Sequence, residues 1–431
     1  MTRASRPPIP HNLPFLNGLY LAVSAIRDAA LVVDGPYCLV QKAELHMAHD
    51  PASDLVRADG PGRLLHTDIR FNTSVVPSMA LNRSRDIGEV LEGAAQDPRF
   101  RLVVVSSMDF NHLLNEPLEQ HRRRAQAKGH ARVVRVPSES LEADWIDGHS
   151  RVLERLAADL DLDPGGPLPG QVAVVGHLMD RREGDCLGNV DEIYRLVRGV
   201  GADIASLWLD GRLVTDLARA GRASAVVTLP YGRAAGRILA GRLGVPCVQA
   251  PLPVGLRGTG AFVRAVAEAL GLRETGETFL DRELTRVVPL VRDRAFRFLH
   301  GRQAVIQGDP FLVRGLRDFL DDLGVETVLV DVLGRREHLD GDPVVDGSWV
   351  FEAPHDEVPE PEADLRIAST AFPDPLPVPG LLPLGYPNFL RHPTRPEPWL
   401  GFEGALWLTD RLVEASQWRD AALVRGFRTP L

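Results

Sequence analysis

Short apolar runs separated by stretches of helical spacing recur from one end of this chain to the other, and that alternation most limits what it can fold into. Ala30–Val33, Phe100–Val105, Gln171–Val175, Asp203–Trp208, Ser224–Leu229, Gln303–Gln307, Thr327–Val330 and Asp364–Ala368 read as strands. Several are almost continuously apolar, as a strand buried on both faces must be. Leu19–Ala29, Ile87–Gln96, Ser138–Leu160, Asn189–Gly199, Val214–Ala220, Ala234–Leu243, Phe262–Leu270, Leu280–Leu299 and Phe311–Leu323 carry helical spacing. Strands and helices in alternation predict an α/β protein with parallel sheets flanked by helices. The cluster Asp163-Pro164-Gly165-Gly166 and a fresh strand–helix–strand unit beginning near Val291 predict three Rossmann-like domains, over 1–165, 166–290 and 291–431. The acidic, proline-rich run Glu352–Ala363 is expected to be an exposed loop.

Composition narrows the function classes. A formal net charge of −9 and a pI near 5.8 argue against a nucleic-acid partner, because phosphate binding needs clustered Lys and Arg. Met1–Pro14 holds four prolines and no apolar core of signal-peptide length. Leu19–Val33 is interrupted by Arg27 and Asp28 and is too short to span a bilayer, so a cytoplasmic protein without a membrane partner is expected. The three cysteines, Cys38, Cys186 and Cys247, form no CxxC pair and no disulfide framework. No Walker A pattern occurs, and Gly255-Leu256-Arg257-Gly258-Thr259-Gly260 lacks the strand–loop–helix order of a dinucleotide site. No nucleotide is expected on this chain.

Three segments carry a resemblance. Ala25-Ile26-Arg27-Asp28 followed by Leu31–Cys38 has the form of a helix, a strand and a loop ending in cysteine, and His66-Thr67-Asp68-Ile69 follows. Gly188–Leu209, Asp216–Ala220, Tyr231–Ala235, Leu243–Pro246 and Pro253-Val254-Gly255 make a second ordered set. The third is Gly308-Asp309-Pro310, Leu323–Glu326, then Pro383–Pro387 through Arg391-His392, Pro398 and Gly401-Phe402-Glu403-Gly404-Ala405. In order and spacing these resemble the nitrogenase component 1 family, which includes the molybdenum-iron protein, its cofactor-assembly homologues and the protochlorophyllide and chlorophyllide reductase subunits. The terminal segment is the most specific of the three.

The resemblance implies a subunit of a nitrogenase-like oxidoreductase. Its partners would be a homologous subunit, in a homodimer or hetero-oligomer, and a separate ATP-dependent iron–sulfur reductase that delivers low-potential electrons. The family holds an iron–sulfur cluster at the subunit interface with up to three cysteines from the first domain. Here Cys38 stands at the first cysteine position, Met108 at the third, and no cysteine lies between Cys38 and Cys186. A [4Fe–4S] cluster normally takes four thiolates. A partner subunit then supplies the remainder of a shared cluster, or His46, His49 and Asp50 of the same segment join Cys38 as metal ligands, or no cluster binds; His66 is a further candidate. For each histidine a structural role is the ordinary alternative, and for Cys38 it is that of a small buried hydrophobe. The segment that begins at Asp34-Gly35-Pro36 and holds these residues is expected to be a loop; in a helical conformation the i, i+3 spacing would put His46 and His49 on one face, which without a third ligand is weak evidence for metal. Pro230 occupies the position of the family's second-domain cofactor cysteine, which disfavours the large molybdenum-iron cofactor, and Cys186 and Cys247 match no ligand position. The alternative functions are a non-catalytic scaffold or metallocluster-assembly partner, and an iron-free glycosyltransferase or epimerase.

Overall fold

Three parallel sheets, each built around runs that read as strands and completed by shorter edge strands outside those runs, organise the computed structural model. It describes residues 13–56, 62–71, 81–83, 86–108, 117–139, 142–352, 358, 361–370 and 379–424. Met1–Asn12, Asp109–Asn111 and most of the acidic run 352–363 lie outside the described residues.

In chain order the elements are α1 (Phe15–Ser24), β1 (Ala29–Asp34), α2 (Cys38–Met47), β2 (Leu64–His66), β3 (Ile69–Phe71), β4 (Leu81–Arg83), α3 (Ile87–Gln96), β5 (Leu102–Ser107), α4 (Leu118–Lys128), β6 (Arg132–Arg135) and α5 (Trp145–Asp159). They continue with β7 (Leu168–Val175), α6 (Gly184–Gly199), β8 (Asp203–Leu207), α7 (Val214–Ala218), β9 (Ala223–Thr228), α8 (Arg233–Leu243) and β10 (Cys247–Gln249). The last part holds α9 (Gly255–Leu270), α10 (Arg273–Arg294), β11 (Gln303–Gly308), α11 (Pro310–Asp322), β12 (Glu326–Val332), β13 (Trp349–Phe351), β14 (Leu365–Ala368), β15 (Leu381–Pro383) and α12 (Gly401–Val424). The sheets run β2-β1-β5-β6, β10-β9-β7-β8 and β13-β12-β11-β14-β15, with β3 and β4 forming a separate antiparallel pair. The chain divides into two compact units, Pro14–Arg182 with Ala202–Gln249, and Glu183–Gly201 with the described residues from Ala250 onward; Val291 falls inside α10.

In the first unit every residue of β1 and of β5 is buried, so helices must cover both faces of that sheet. Helices α1 and α5 cross at a pair of glycines. A Cβ on Gly18 would come within 1.9 Å of the Trp145 carbonyl oxygen, and one on Gly148 within 2.0 Å of the Phe15 carbonyl oxygen. Only glycine at both positions lets the two backbones meet. Helix α5 starts later than its apolar pattern suggests, because Asp144 and Asp147 form a reciprocal capping box there. The turn between α1 and β1 is held by Arg63, whose buried guanidinium donates to the carbonyl oxygens of Val23, Ile26 and Ala29 at 3.1, 2.9 and 2.6 Å and pairs with Asp54.

In the second unit α6, α10 and α12 are joined by ions. Arg195 Nη1 lies 3.0 Å from Glu283, its Nε 2.7 Å from Glu192, and Arg286 bridges Glu283 and Glu403. Asn189 Oδ1 accepts from the Trp399 and Leu400 N–H groups at 2.9 and 3.0 Å, which fixes the entry to α12. Gly401 there has φ +75°, and a Cβ would meet Glu192 at 2.3 Å. Among the described residues no helix is long and apolar enough to cross a membrane.

The crossing glycines give a direct test. Gly148→Ala is expected to lower stability in urea unfolding by about 2 kcal/mol or more through overpacking. Gly93→Ala, on α3 with nothing within 4 Å of the added Cβ, should raise it by roughly 0.5–1 kcal/mol. Equal effects from the two changes would show that α1 and α5 separate without cost.

Candidate functional site

The parallel ladders of the first sheet set Val33 opposite His66 and Asp34 opposite Ser107. The ends of β2, β1 and β5 therefore reach one edge together, and the segments that follow them are gathered there. Asp34 is buried; its Oδ1 accepts the Thr67 hydroxyl at 2.7 Å, and Thr67 Oγ1 accepts the Gly35 N–H at 3.0 Å. The Met108 N–H donates to the Asp34 carbonyl at 3.1 Å. A Cβ on Gly35 would come within 3.0 Å of Met108 Cγ, so the Met108 side chain borders the same turn. Tyr37 packs edge-on against the His66 ring at 5.5 Å. Cys38 and Met108, at the family's first and third cysteine positions, and the His66-Thr67 segment thus follow strands that end at one edge of one sheet.

Cys38 is exposed and is the first residue of α2. A loop was expected after Asp34-Gly35-Pro36, but Leu39, Ala43 and Met47 recur at four-residue intervals, and burying that stripe makes the segment helical. The helix ends at Met47, so His46 and His49 do not share a helix face. His46 lies in the last turn, half-buried, and burial lowers its pKa below the usual imidazole value, aided by Lys42 and His49. His49 lies beyond the helix and is buried, with Nδ1 2.8 Å from the His46 carbonyl oxygen and Nε2 3.1 Å from that of Asp180. Asp50 is buried too; burial pushes its carboxyl pKa up, although it accepts the Ala52 N–H at 3.0 Å. Among the described residues, none of Cys38, His46, His49 and Asp50 belongs to a trio of ligand atoms close enough to share one ion.

A second group, absent from the sequence reading, lies at the carboxyl ends of β7 and β9. His177 follows β7 after Gly176, and His149 sits on the buried face of α5; both are almost wholly buried. His149 packs edge-on to Tyr231 at 6.1 Å, and Ser150 Oγ donates to the Tyr231 carbonyl at 2.7 Å. Burial pushes the His149 pKa down to about 3, with His177 adding to the effect, and the His177 pKa down to about 4 against the opposing pull of Asp180. Asp180 also lies 3.5 Å from His49 Nε2. A Gly-His pair at a strand end and a second one entering an apolar helix face were the available signals. On sequence alone, the helical one reads as core.

These features define an α/β protein whose strand-end segments converge at the carboxyl edges of parallel sheets, the common location of sites in such folds. The family model for nitrogenase component 1 type oxidoreductases matches residues 17–417, and the chain belongs to that family. It is 26% identical over 318 residues to the nitrogenase molybdenum-iron protein beta chain of Methanococcus maripaludis strain S2, covering 67% of this chain and 68% of that one. The match to the corresponding beta chain of Methanothermobacter thermautotrophicus is 25% identical over 242 residues, 55% of this chain and 48% of the relative, so it spans only about half of that protein. The light-independent protochlorophyllide reductase subunit N of Halorhodospira halophila is 26% identical over 340 residues, covering 74% of this chain and 77% of that one. The solved structure of nitrogenase Cp1 at pH 6.5 shares the fold, with a TM-score of 0.75 and 16% identity over 100% of this chain and 98% of the other. Family membership sets aside the glycosyltransferase and epimerase alternatives.

The buried histidines dictate a pH dependence. Their folded pKa values lie below the ordinary 6.5, so the unfolded chain takes up protons first as pH falls. Stability present above pH 6.5 should be lost toward pH 4, with a slope of roughly 1.4 kcal/mol per pH unit for each ring. Urea unfolding of His177→Gln between pH 7 and pH 4.5 should show a shallower acid loss than the parent chain. An unchanged slope would mean that His177 is protonated in the folded state.

Proposed function

We propose that this chain is a cysteine-poor subunit of a nitrogenase-like reductase complex. In this reading it receives low-potential electrons from a separate ATP-dependent iron–sulfur protein, through an interface cluster completed by a homologous partner subunit. The observation that carries the reading is the exposed Cys38 at the sheet edge where the His66-Thr67 segment and Met108 are also gathered. The donor set fits one corner of a [4Fe–4S] cluster and no more. Cys38 offers a thiol on the surface, whereas Met108 stands in the third position and Asp34 is committed to Thr67. The remaining thiolates would come from the partner, because the candidates His46, His49 and Asp50 do not gather with Cys38 around a common point among the described residues. When bound, such a cluster supplies one-electron transfer.

For this chain's own residues the reading assigns modest tasks. Tyr37, immediately before Cys38, and Leu45, about two turns further along α2, are largely exposed side chains and would exclude water if a partner covered them. The missing thiols also favour a second reading, a scaffold or metallocluster-assembly partner that holds the same frame without catalysis. Activity of the assembled complex separates the two.

Cys38→Ser in the anaerobically co-purified complex should lower iron content and visible iron–sulfur absorption and weaken electron transfer, because Ser is a poorer iron ligand of similar size. As Cys38 is exposed, the unfolding free energy should stay within about 0.5 kcal/mol of the parent value. Unchanged iron together with unchanged activity would remove Cys38 from the site.

A further inference from the structure

Helix α10 buries one stripe, Gly276, Leu280, Glu283, Val287 and Val291, and leaves its opposite face in solvent. That face is apolar at its middle and beyond its end. Val288, Pro289 and Leu290 are exposed in succession, and Phe296, in the π-turn Ala295–Leu299 that continues the helix, is 79% exposed, the highest value for a large apolar side chain among the described residues. A run of exposed apolar residues on a soluble helix calls for a covering surface. The charges of α10 are sorted along it. Up to Leu284, Glu274, Glu277, Asp281 and Glu283 outnumber Arg273 and Arg282, whereas beyond it Arg286, Arg292, Arg294 and Arg297 are offset only by Asp293. Glu277, Glu283 and Arg286 are engaged by neighbours, but among the described residues the exposed Asp281, Arg294 and Arg297 have no ion-pair partner.

We propose that this face of α10 is an isologous interface, pairing with α10 of a second copy of this chain in antiparallel order about Pro289. A two-fold axis requires a surface complementary to itself, so that residue i meets j and j meets i. Helix α10 meets that requirement. Asp281 and Arg297 stand eight residues to either side of Pro289, about 12 Å along the axis. In the antiparallel pair Asp281 of each copy comes opposite Arg297 of the other. Arg282 comes opposite Phe296, a cation over an exposed ring, and Val288 opposite Leu290. Antiparallel order also sets the two helix dipoles head to tail. A nucleic acid or an anionic membrane, drawn by Arg294 and Arg297, would meet the carboxylate of Asp281 on the same helix. The surface uses none of the residues assigned to the cluster edge and does not depend on that reading.

Sedimentation velocity of the full-length chain, with no other subunit present, should show a dimer that dissociates on dilution and weakens with salt. Asp281→Arg and Arg297→Asp should each weaken it about tenfold or more, because either reversal sets like charges opposite one another twice per dimer. Mixing the two single variants should restore association as a heterodimer in which both pairs are again complementary. On one helix the two positions are roughly 24 Å apart, so rescue can arise only between copies. Phe296→Ser should weaken the dimer to a similar extent. All three side chains are exposed, so each variant should fold as the parent does. A parent chain that stays monomeric at its highest soluble concentration, a dimer indifferent to the three substitutions, or weakening without rescue in the mixture would overturn the proposal. So would binding of anionic lipid vesicles by a monomeric chain that is lost in Arg297→Asp, which would give the face to a membrane.

Discussion

The parallel ladder is the constraint from which the rest of this structure follows. Parallel pairing requires a crossover between neighbouring strands, so each strand end feeds a segment that must leave the sheet and return over one of its faces. With β1 and β5 buried along their whole length, those crossovers become covering helices and the departure points share one edge. That is why the segments that carry Cys38, Thr67 and Met108 gather at one edge although they are far apart in the chain. The same rule puts His177 after β7 and Tyr231 after β9, where His149 reaches them from α5. Both candidate sites are consequences of one hydrogen-bonding pattern used twice.

Close approach of backbones is the second requirement, and it explains much of the glycine usage in the recognisable segments. Gly401 and Gly404, in the most specific segment of the sequence, are confined by Glu192 and by the Trp399 backbone at 2.3 Å from their virtual Cβ atoms. The pattern therefore records how α12 begins against α6, not a catalytic group. Gly18 and Gly148 do the same for α1 and α5, and the latter crossing also places His149, the next residue, on the buried face. A motif legible as a family resemblance is here largely a record of packing.

The central strands were legible because buried parallel strands are apolar without interruption, and most helix positions followed from their spacing, whereas the short edge strands and the helices α2, α4 and α12 were not read. What escaped the sequence depended on partners distant along the chain. The α2 helix was hidden because only Leu39, Ala43 and Met47 mark its buried stripe, between polar residues that also suit a loop. His149 and His177 were hidden because a lone histidine among apolar neighbours carries no sign of whether its nitrogens will find partners. The ion network of Glu192, Arg195, Glu283, Arg286 and Glu403 joins three helices, and no local pattern announces it. Cys38 was the opposite case, singled out by the loop resemblance and found exposed at the strand-end edge.

Loss of cluster ligands leaves this frame intact for a physical reason. The first sheet is held by its backbone ladder, by the α1–α5 crossing and by the Arg63 guanidinium on the carbonyls of the α1–β1 turn. None of these uses a residue at the three cluster positions. Met108 can replace a cysteine with its side chain against Gly35 and its N–H still bonded to Asp34, so the substitution removes a thiolate without opening the edge. Ligation and folding are consequently separable here, unlike in small domains whose metal supplies the folding free energy. On the proposed reading the fold persists while the ligand set is redistributed to a partner chain, and the partner's thiolates would then decide the chemistry at the edge where Cys38 is exposed.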